Sequence, residues 1–394
     1  MPPGVRIPAP ALLQNQVDKT VFCRIAPSTI LKLPTQFRTM AFENMKAFFA
    51  EWVPKIDREL YSFLERKMEM QTDPFNRRVV EEILRFAKSG GKRVRPVLVV
   101  AGYLGAGGEE PERAARASIS YELLHNYLLI HDDIMDRDEL RRGQPTVWKS
   151  FLDHYVKCEL ERHDAESLAM AAGDLAETYA TEALIDAGFD PETTVLAVKE
   201  LHEIAERTGY GQVLDISLEF LPIGDVREED VLRVHELKTA KYTLEGPLHL
   251  GARLAGAEED VFKAYSDYAI PVGIAFQLQD DIIGVFGDEK KTGKPVGSDI
   301  REGKRTLLIV KAYENATPAQ RKLIKAVLGR ESATPEEIEE IKDIIVETGA
   351  LDYCKQLMEK LVEEGVASLR DAPVEEGVKG VLAELAEYII RREK

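Results

Sequence analysis

The sequence predicts an all-α protein. Apolar residues return at helical spacing along most of the chain after residue 40, strand-like alternation is scarce, and the breaks are short glycine- and proline-bearing stretches rather than long linkers. With no repeat period evident, residues 40–394 are read as a single all-α domain, preceded by an irregular arm over residues 1–39.

The arm holds six of the nineteen prolines, five Lys or Arg and one acid, Asp18, and shows only weak periodicity. Met40 opens the first patterned region, so the arm is read as a start upstream of the native one, an expression remnant, a targeting sequence or a docking strap. In the first helix Phe48, Trp52, Ile56, Leu60 and Leu64 recur every four residues with charges between them. Further helices are expected near 76–88, 96–104, 111–136, 166–187, 191–208, 211–220, 228–253, 258–286, 304–314, 317–328, 335–348, 350–370 and 376–392. The breaks include Ser89-Gly90-Gly91, Gly105 to Gly108, Pro222-Ile223-Gly224, Gly287 to Gly297 and Asp371-Ala372-Pro373.

An apolar share of 44% beside 31% charged residues supports a sizeable core under a charged surface. Asp and Glu outnumber Lys and Arg by 69 to 52, and a net charge of −17 argues against a general nucleic-acid binder. Phosphate binding must therefore come from local basic clusters. Cys23, Cys158 and Cys354 stand far apart with no metal-ligand spacing, which points to a reducing compartment. No run of 18 uncharged apolar residues suggests a membrane span, and the N-terminus lacks a secretory pattern, so cytoplasm is the default expectation.

Two acidic groups carry chemistry. In His131-Asp132-Asp133-Ile134-Met135-Asp136, Asp132 and Asp136 lie on one helical face about 6 Å apart along the axis, with Asp133 beside them. Mg²⁺ takes one or two such carboxylates and fills its shell with water and phosphate oxygens. A solvated acidic helix end is the bland alternative, but the apolar run Leu123–Ile130 leading into the motif favours a cavity. The second group, Asp280-Asp281 after Gln277, sits in an otherwise apolar helix, where adjacent carboxylates are costly unless they meet cations or water. Against this background stand Lys92-Arg93-Val94-Arg95, Arg141-Arg142, Lys238-Thr239-Ala240-Lys241, and Lys294 with Lys304. Singly these are ordinary surface patches; together they match a ligand with several anionic oxygens. The Gly90–Pro96 stretch is no P-loop, since GxxxxGK[ST] is absent.

With these residues in order, and with Gly173-Asp174, Gly211-Gln212-Val213-Leu214-Asp215 and Phe276 through Asp281, the chain from Phe42 to Lys394 resembles the trans-isoprenyl diphosphate synthases, or polyprenyl synthetases. The resemblance implies an isoprenoid-synthase-type helical bundle around a central cavity, usually a homodimer. It implies Mg²⁺ on Asp132, Asp136 and Asp280, supported by Asp133 and Asp281. Arg141, Lys238 and Lys294 would grip the allylic diphosphate; Lys92, Arg95, His125 and Arg142 would bind isopentenyl diphosphate. Thr239 and Gln277 would lie near the reacting carbon. The implied reaction is head-to-tail condensation of isopentenyl diphosphate with allylic diphosphates through an allylic carbocation.

Product length is read from the helix before the first motif. Helical geometry nominates Leu128 and Leu124, one and two turns below Asp132. The resemblance singles out Tyr127, and one bulky ring there without an aromatic at Leu128 resembles short-chain enzymes, giving geranylgeranyl diphosphate (C20), with farnesyl diphosphate (C15) next. Three departures stand out: Gly284 where a third Asp is common, Trp148 where His is common, and extra length between Pro145 and Gly173, with Lys157 to Glu166 as a surface excursion. Gly284→Asp is expected to leave activity unchanged or raise it. A terpene cyclase is disfavoured by its different second motif, and a non-catalytic partner subunit of a heteromeric synthase is the alternative that Gly284 supports.

Overall fold

The computed structural model describes residues 42–287 and 297–392; the expected arm and Lys294 lie outside them. Helices α1 (Glu43–Glu69), α2 (Pro74–Lys88), α3 (Val94–Gly105) and α4 (Pro111–Met135) come first. Then follow a two-residue hairpin, β1 (Leu140–Arg141) with β2 (Gln144–Pro145), α5 (Val147–His154), α6 (Arg162–Ile185) and α7 (Pro191–Glu219). Helix α8 (Glu228–Val234) runs directly into a π-helix (His235–Glu245) and on into α9 (Gly246–Leu254). Helix α10 (Glu259–Phe286) precedes α11 (Ser298–Glu302), α12 (Leu307–Asn315), α13 (Pro318–Val327), α14 (Pro335–Glu347), α15 (Ala350–Ser368) and α16 (Glu376–Arg391).

Local chemistry explains many of the boundaries. Asp73 caps α2 by accepting from the amides of Phe75 and Asn76 at 3.0 Å, ahead of Pro74 at the first helical position. Asp190 and Pro191 open α7 in the same way. The α1 stripe buries Trp52, Ile56, Leu60 and Leu64 as its spacing predicts, while Phe48 is half-buried and Phe63, outside the stripe, is buried as well. Helix α4 is buried over consecutive residues from Ala117 to Leu124, so it is a central helix, and the aspartates of the motif lie at its C-terminal end.

The expected break between 208 and 211 is absent: α7 runs through Gly209 and Gly211. Gly211 is there for a close approach, since a Cβ on it would stand 2.6 Å from the Lys238 amide nitrogen. On the other side a Cβ on Gly273 would stand 2.4 Å from Ala240 Cα. These two glycines let α7 and α10 close on the π-helix at residues 238–240. The hairpin was not foreseen; its turn places both Arg142 (φ 54°) and Gly143 (φ 73°) in left-handed conformations, as two-residue hairpins prefer. Trp148 is core, its indole donating to the Asp138 carbonyl at 2.9 Å, and Val156 to Glu159 form an exposed turn ahead of α6, which takes up the expected excursion from Arg162 onward.

Helix α10 is long and apolar enough by composition to cross a membrane, although it too holds no run of 18 uncharged apolar residues. Here it packs against the π-helix, α15 and α16, and buries Tyr265, Tyr268 and Val272 completely. One core cluster centres on α10 and the C-terminal helices, the other on α1, α2, α4 and α6.

Candidate active site

The end of α4, the hairpin, the π-helix and α10 deliver the predicted residues to one region. The Arg141 guanidinium lies 2.6 Å from Asp133 Oδ1 and 3.9 Å from Asp132 Oδ2. Asp133 is buried, and burial pushes its carboxyl up to about 6 against the opposing pull of Arg141. Its Oδ2 makes no hydrogen bond within the protein. Asp136 is also pushed up to about 6, by burial and by the like charge of Asp132, although Lys304 and Lys238 oppose this. Gln212 donates to Asp132 Oδ1 at 3.4 Å.

Lys238 projects from the π-helix to Asp215 Oδ2 at 2.6 Å. Burial pulls its ammonium down, but Asp215 and Asp132 outweigh that and hold it above its ordinary value. Lys304 likewise overcomes burial through Asp299, Glu302 and Asp136. Next to Lys238 in the chain, Thr239 donates its hydroxyl to Gln277 Oε1 at 2.7 Å, and Gln277 donates to Asp281 Oδ1 at 2.8 Å. The π-helix is the device that aligns these groups: an extra residue per turn shifts the side-chain register where Lys238 and Thr239 face α7 and α10.

The cations of the α2–α3 loop divide by role. Arg93, held at φ 50°, is buried and bonded to Asp57 at 2.7 Å, Glu122 at 2.6 Å and the Ala87 carbonyl at 2.6 Å, so it anchors the loop. Arg95 faces inward instead, 3.2 Å from His125 Nε2 and 2.9 Å from Thr243 Oγ1. Because a guanidinium only donates, His125 Nε2 accepts and its Nδ1–H donates to Tyr242 Oη at 2.8 Å. Burial, then the charges of Arg95, Arg142, Arg141 and Arg93, press His125 well below its usual range. Arg142 donates to the Gly90 carbonyl, tying the hairpin to this loop, and Lys92 lies 3.4 Å from Tyr388 Oη.

The second acidic pair splits. Asp280 is bonded by Arg392, whose guanidinium also stacks 3.9 Å over Phe276, whereas Asp281 turns into the bundle toward Gln277 and His235. Asp299 was missed by sequence reasoning. A Cβ on Gly284 would stand 2.3 Å from its Oδ2, so an aspartate 15 residues downstream fills the space beside the residue where the third motif carboxylate was expected. A side chain at residue 284 would have to displace the Asp299 carboxylate, a contact that the expectation of unchanged or higher activity for Gly284→Asp did not take into account. Arg392 and His235 were also missed; only the spacing of His235 one turn before Thr239 signalled it. Upstream on α4, Tyr127 is half-buried with its ring 4.8 Å from that of His131, Leu128 is partly buried, and Leu124 is in the core.

Among the described residues no three His, Cys, Asp or Glu form a protein-only metal cage. Asp132, Asp133 and Asp136 stand as a small acidic group among Arg141, Lys238 and Lys304, which suits a divalent ion completed by phosphate oxygens. The crowding of Asp132 against Asp136 and the buried, unbonded Oδ2 of Asp133 fit the same requirement.

Residues 77–345 match the family model described as polyprenyl synthetase. The chain belongs to that family. A polyprenyl synthetase relative, the geranylgeranyl diphosphate synthase of Saccharolobus solfataricus, is 35% identical over 359 residues, covering 90% of this chain and 100% of the relative. The geranylfarnesyl diphosphate synthase of Aeropyrum pernix is 37% identical over 79% of this chain and 93% of its own. The crystal structure of the Corynebacterium glutamicum geranylgeranyl pyrophosphate synthase, complexed with isoprenyl diphosphate and magnesium, superposes with a TM-score of 0.81 at 34% identity, covering 88% of this chain and 99% of that one. As a polyprenyl synthetase the chain is a prenyltransferase that elongates isoprenyl chains, in the all-α fold of its neighbours.

Proposed function

We propose that the enzyme condenses isopentenyl diphosphate with an allylic diphosphate head to tail, giving geranylgeranyl diphosphate, with farnesyl diphosphate as the shorter alternative. The observation that carries this reading is the pairing of two cation-lined regions: Asp132 and Asp136 with Arg141, Lys238 and Lys304 on one side, and Arg95, His125 and Arg142 on the other.

In this reading Asp132, Asp136 and Asp280 hold Mg²⁺, which supplies charge neutralisation to a leaving diphosphate. Arg141, Lys238 and Lys294 hold the allylic diphosphate, and Lys92, Arg95, His125 and Arg142 hold isopentenyl diphosphate. The allylic C–O bond breaks with its electron pair leaving on diphosphate, and the isopentenyl double bond attacks the resulting cation. The adduct then loses a proton to the released diphosphate, forming the new double bond. Thr239 and Gln277 present oxygens to the cationic carbon, and the apolar α4 wall excludes water. Asp299 supplies the carboxylate that Gly284 lacks. With the first carboxylate pair in place, a non-catalytic partner subunit is not favoured.

The exposed apolar residues Val195, Tyr210, Val213 and Ile216 share one face of α7, since 18 residues make five turns, and this supports a homodimer. A cytoplasmic location fits the dispersed cysteines, Cys354 buried and Cys158 exposed as free thiols. The test is incubation of the pure protein with Mg²⁺, isopentenyl diphosphate and dimethylallyl, geranyl or farnesyl diphosphate, followed by chromatography of the dephosphorylated products. A dominant C20 alcohol supports the reading; no elongated product overturns it.

A further inference from the structure

A polar chain runs through the bundle behind Thr239. His235 and Asp281 are both buried, with His235 Nε2 3.3 Å from Asp281 Oδ2. Asp281 Oδ1 accepts from Gln277 Nε2 at 2.8 Å, and Gln277 Oε1 accepts from Thr239 Oγ1 at 2.7 Å. All four residues line one small cavity of about 100 Å³, together with Lys238 and Lys304. A buried carboxylate in an apolar helix is costly, and Asp281 lies on the side of α10 away from the Arg392 pair, so its placement calls for a role.

We infer that His235 and Asp281 are positioning residues that fix the polarity of the Gln277–Thr239 pair. A carboxylate only accepts, so Asp281 forces the Gln277 amide to direct Nε2 toward it and Oε1 toward Thr239. The single hydroxyl proton of Thr239 is thereby spent on Gln277, and only oxygen lone pairs face the cavity. With the amide reversed, Gln277 would donate to Thr239 and the hydroxyl proton would be free to point at the reacting carbon. The fixed polarity places electron-rich oxygen where positive charge develops and costs no reorganisation during reaction. Asp281 Oδ2 makes no hydrogen bond in the protein, and the His235 ring, its Nε2 3.3 Å away and one helical turn before Thr239 on the same π-helix, flanks it from the opposite side. This inference rests on the elongation reading and on Thr239 facing the carbocation.

The test compares His235→Leu, His235→Gln, Asp281→Asn and Thr239→Val, each checked by thermal melting, with the His235→Leu/Thr239→Val double variant. Expected are losses of roughly tenfold or more in kcat for His235→Leu and Asp281→Asn, KM for both diphosphates within about twofold, and most of the rate kept by His235→Gln. Mn²⁺ affinity, read by electron paramagnetic resonance, should stay unchanged in all, and the double variant should be no slower than Thr239→Val alone. Additive losses, a rise in KM with kcat kept, or weakened Mn²⁺ binding in Asp281→Asn would overturn it. So would a neutral Thr239→Val in an enzyme that still elongates; a wild type that makes no elongated product instead removes the elongation reading beneath it.

Discussion

The carboxylate of Asp299 and the bare Cα of Gly284 are packed as complements: any Cβ at residue 284 would stand 2.3 Å from Asp299 Oδ2 and 3.0 Å from its Cγ. Asp299 is also 3.9 Å from Lys304, the cation nearest Asp136 in charge terms. Gly284→Asp should therefore lower turnover at least about tenfold, since overpacking costs roughly 1–3 kcal/mol and here displaces a site carboxylate. The exchange Gly284→Asp/Asp299→Gly returns one carboxylate to one space and should recover much of the loss in steady-state assays. A Gly284→Asp enzyme as fast as the wild type would contradict the packing argument.

Asp132→Ala and Asp136→Ala should each reduce turnover by about a thousandfold or more, with the helical circular-dichroism signal and melting temperature nearly kept. The side chains sit at the exit of α4, beyond its buried stretch, so little packing is lost. In Asp132→Ala the loss of that charge should even relieve part of the upward push on Asp136, whose larger cause is burial.

His125 predicts an acid instability. Its folded pKa is pressed well below 6.5 by burial and four arginines, so the unfolded chain takes up a proton near pH 6.5 that the folded protein refuses. More protons on the unfolded state mean that stability falls as pH drops below about 6.5, by up to roughly 1.4 kcal/mol per pH unit for this one group. Urea melts between pH 7 and 5 should show a smaller decline for His125→Gln than for the wild type. Parallel declines would mean that other groups set the acid limb.

Tyr127 and Leu128 occupy neighbouring flanks of α4, both partly buried. If Tyr127 closes the cavity, Tyr127→Ala should shift products by one or more C5 units beyond C20, and Leu128→Phe should shorten them toward C15, as chromatography of the dephosphorylated products reads directly. An unchanged distribution at comparable turnover in Tyr127→Ala would place the floor elsewhere.

The exposed face of α7 should be an interface between copies. Analytical ultracentrifugation should give twice the chain mass, and Tyr210→Glu with Val213→Glu should release monomers with the helical signal kept, because both side chains point to solvent in the single chain. A wild-type monomer would contradict this.

Most helices, both acidic motifs and the separated cations were legible because helical periodicity and i,i+4 spacing are local properties. Trp52, Ile56, Leu60 and Leu64 bury as their spacing demands. Where the local pattern failed, a long-range contact had intervened. The π-helix over His235–Glu245 looks like ordinary α-helix in sequence, and its register is set by close packing at Gly211 and Gly273. Arg93 and Arg95, two residues apart in one basic run, receive opposite roles because one meets Asp57 and Glu122 while the other meets His125.

By itself, then, the sequence determined an all-α chain with two aspartate groups and cations enough for two diphosphates, since composition, spacing and charge do not depend on which helix lies beside which. The tertiary structure alone decided that Asp281 faces Gln277 rather than its neighbour's partner Arg392, that Asp299 stands in for a side chain absent at Gly284, and that His125 is held neutral. The physical reason is the same in each case: orientation and protonation are set by the desolvated neighbours of a group, and those neighbours come from elements tens to hundreds of residues away.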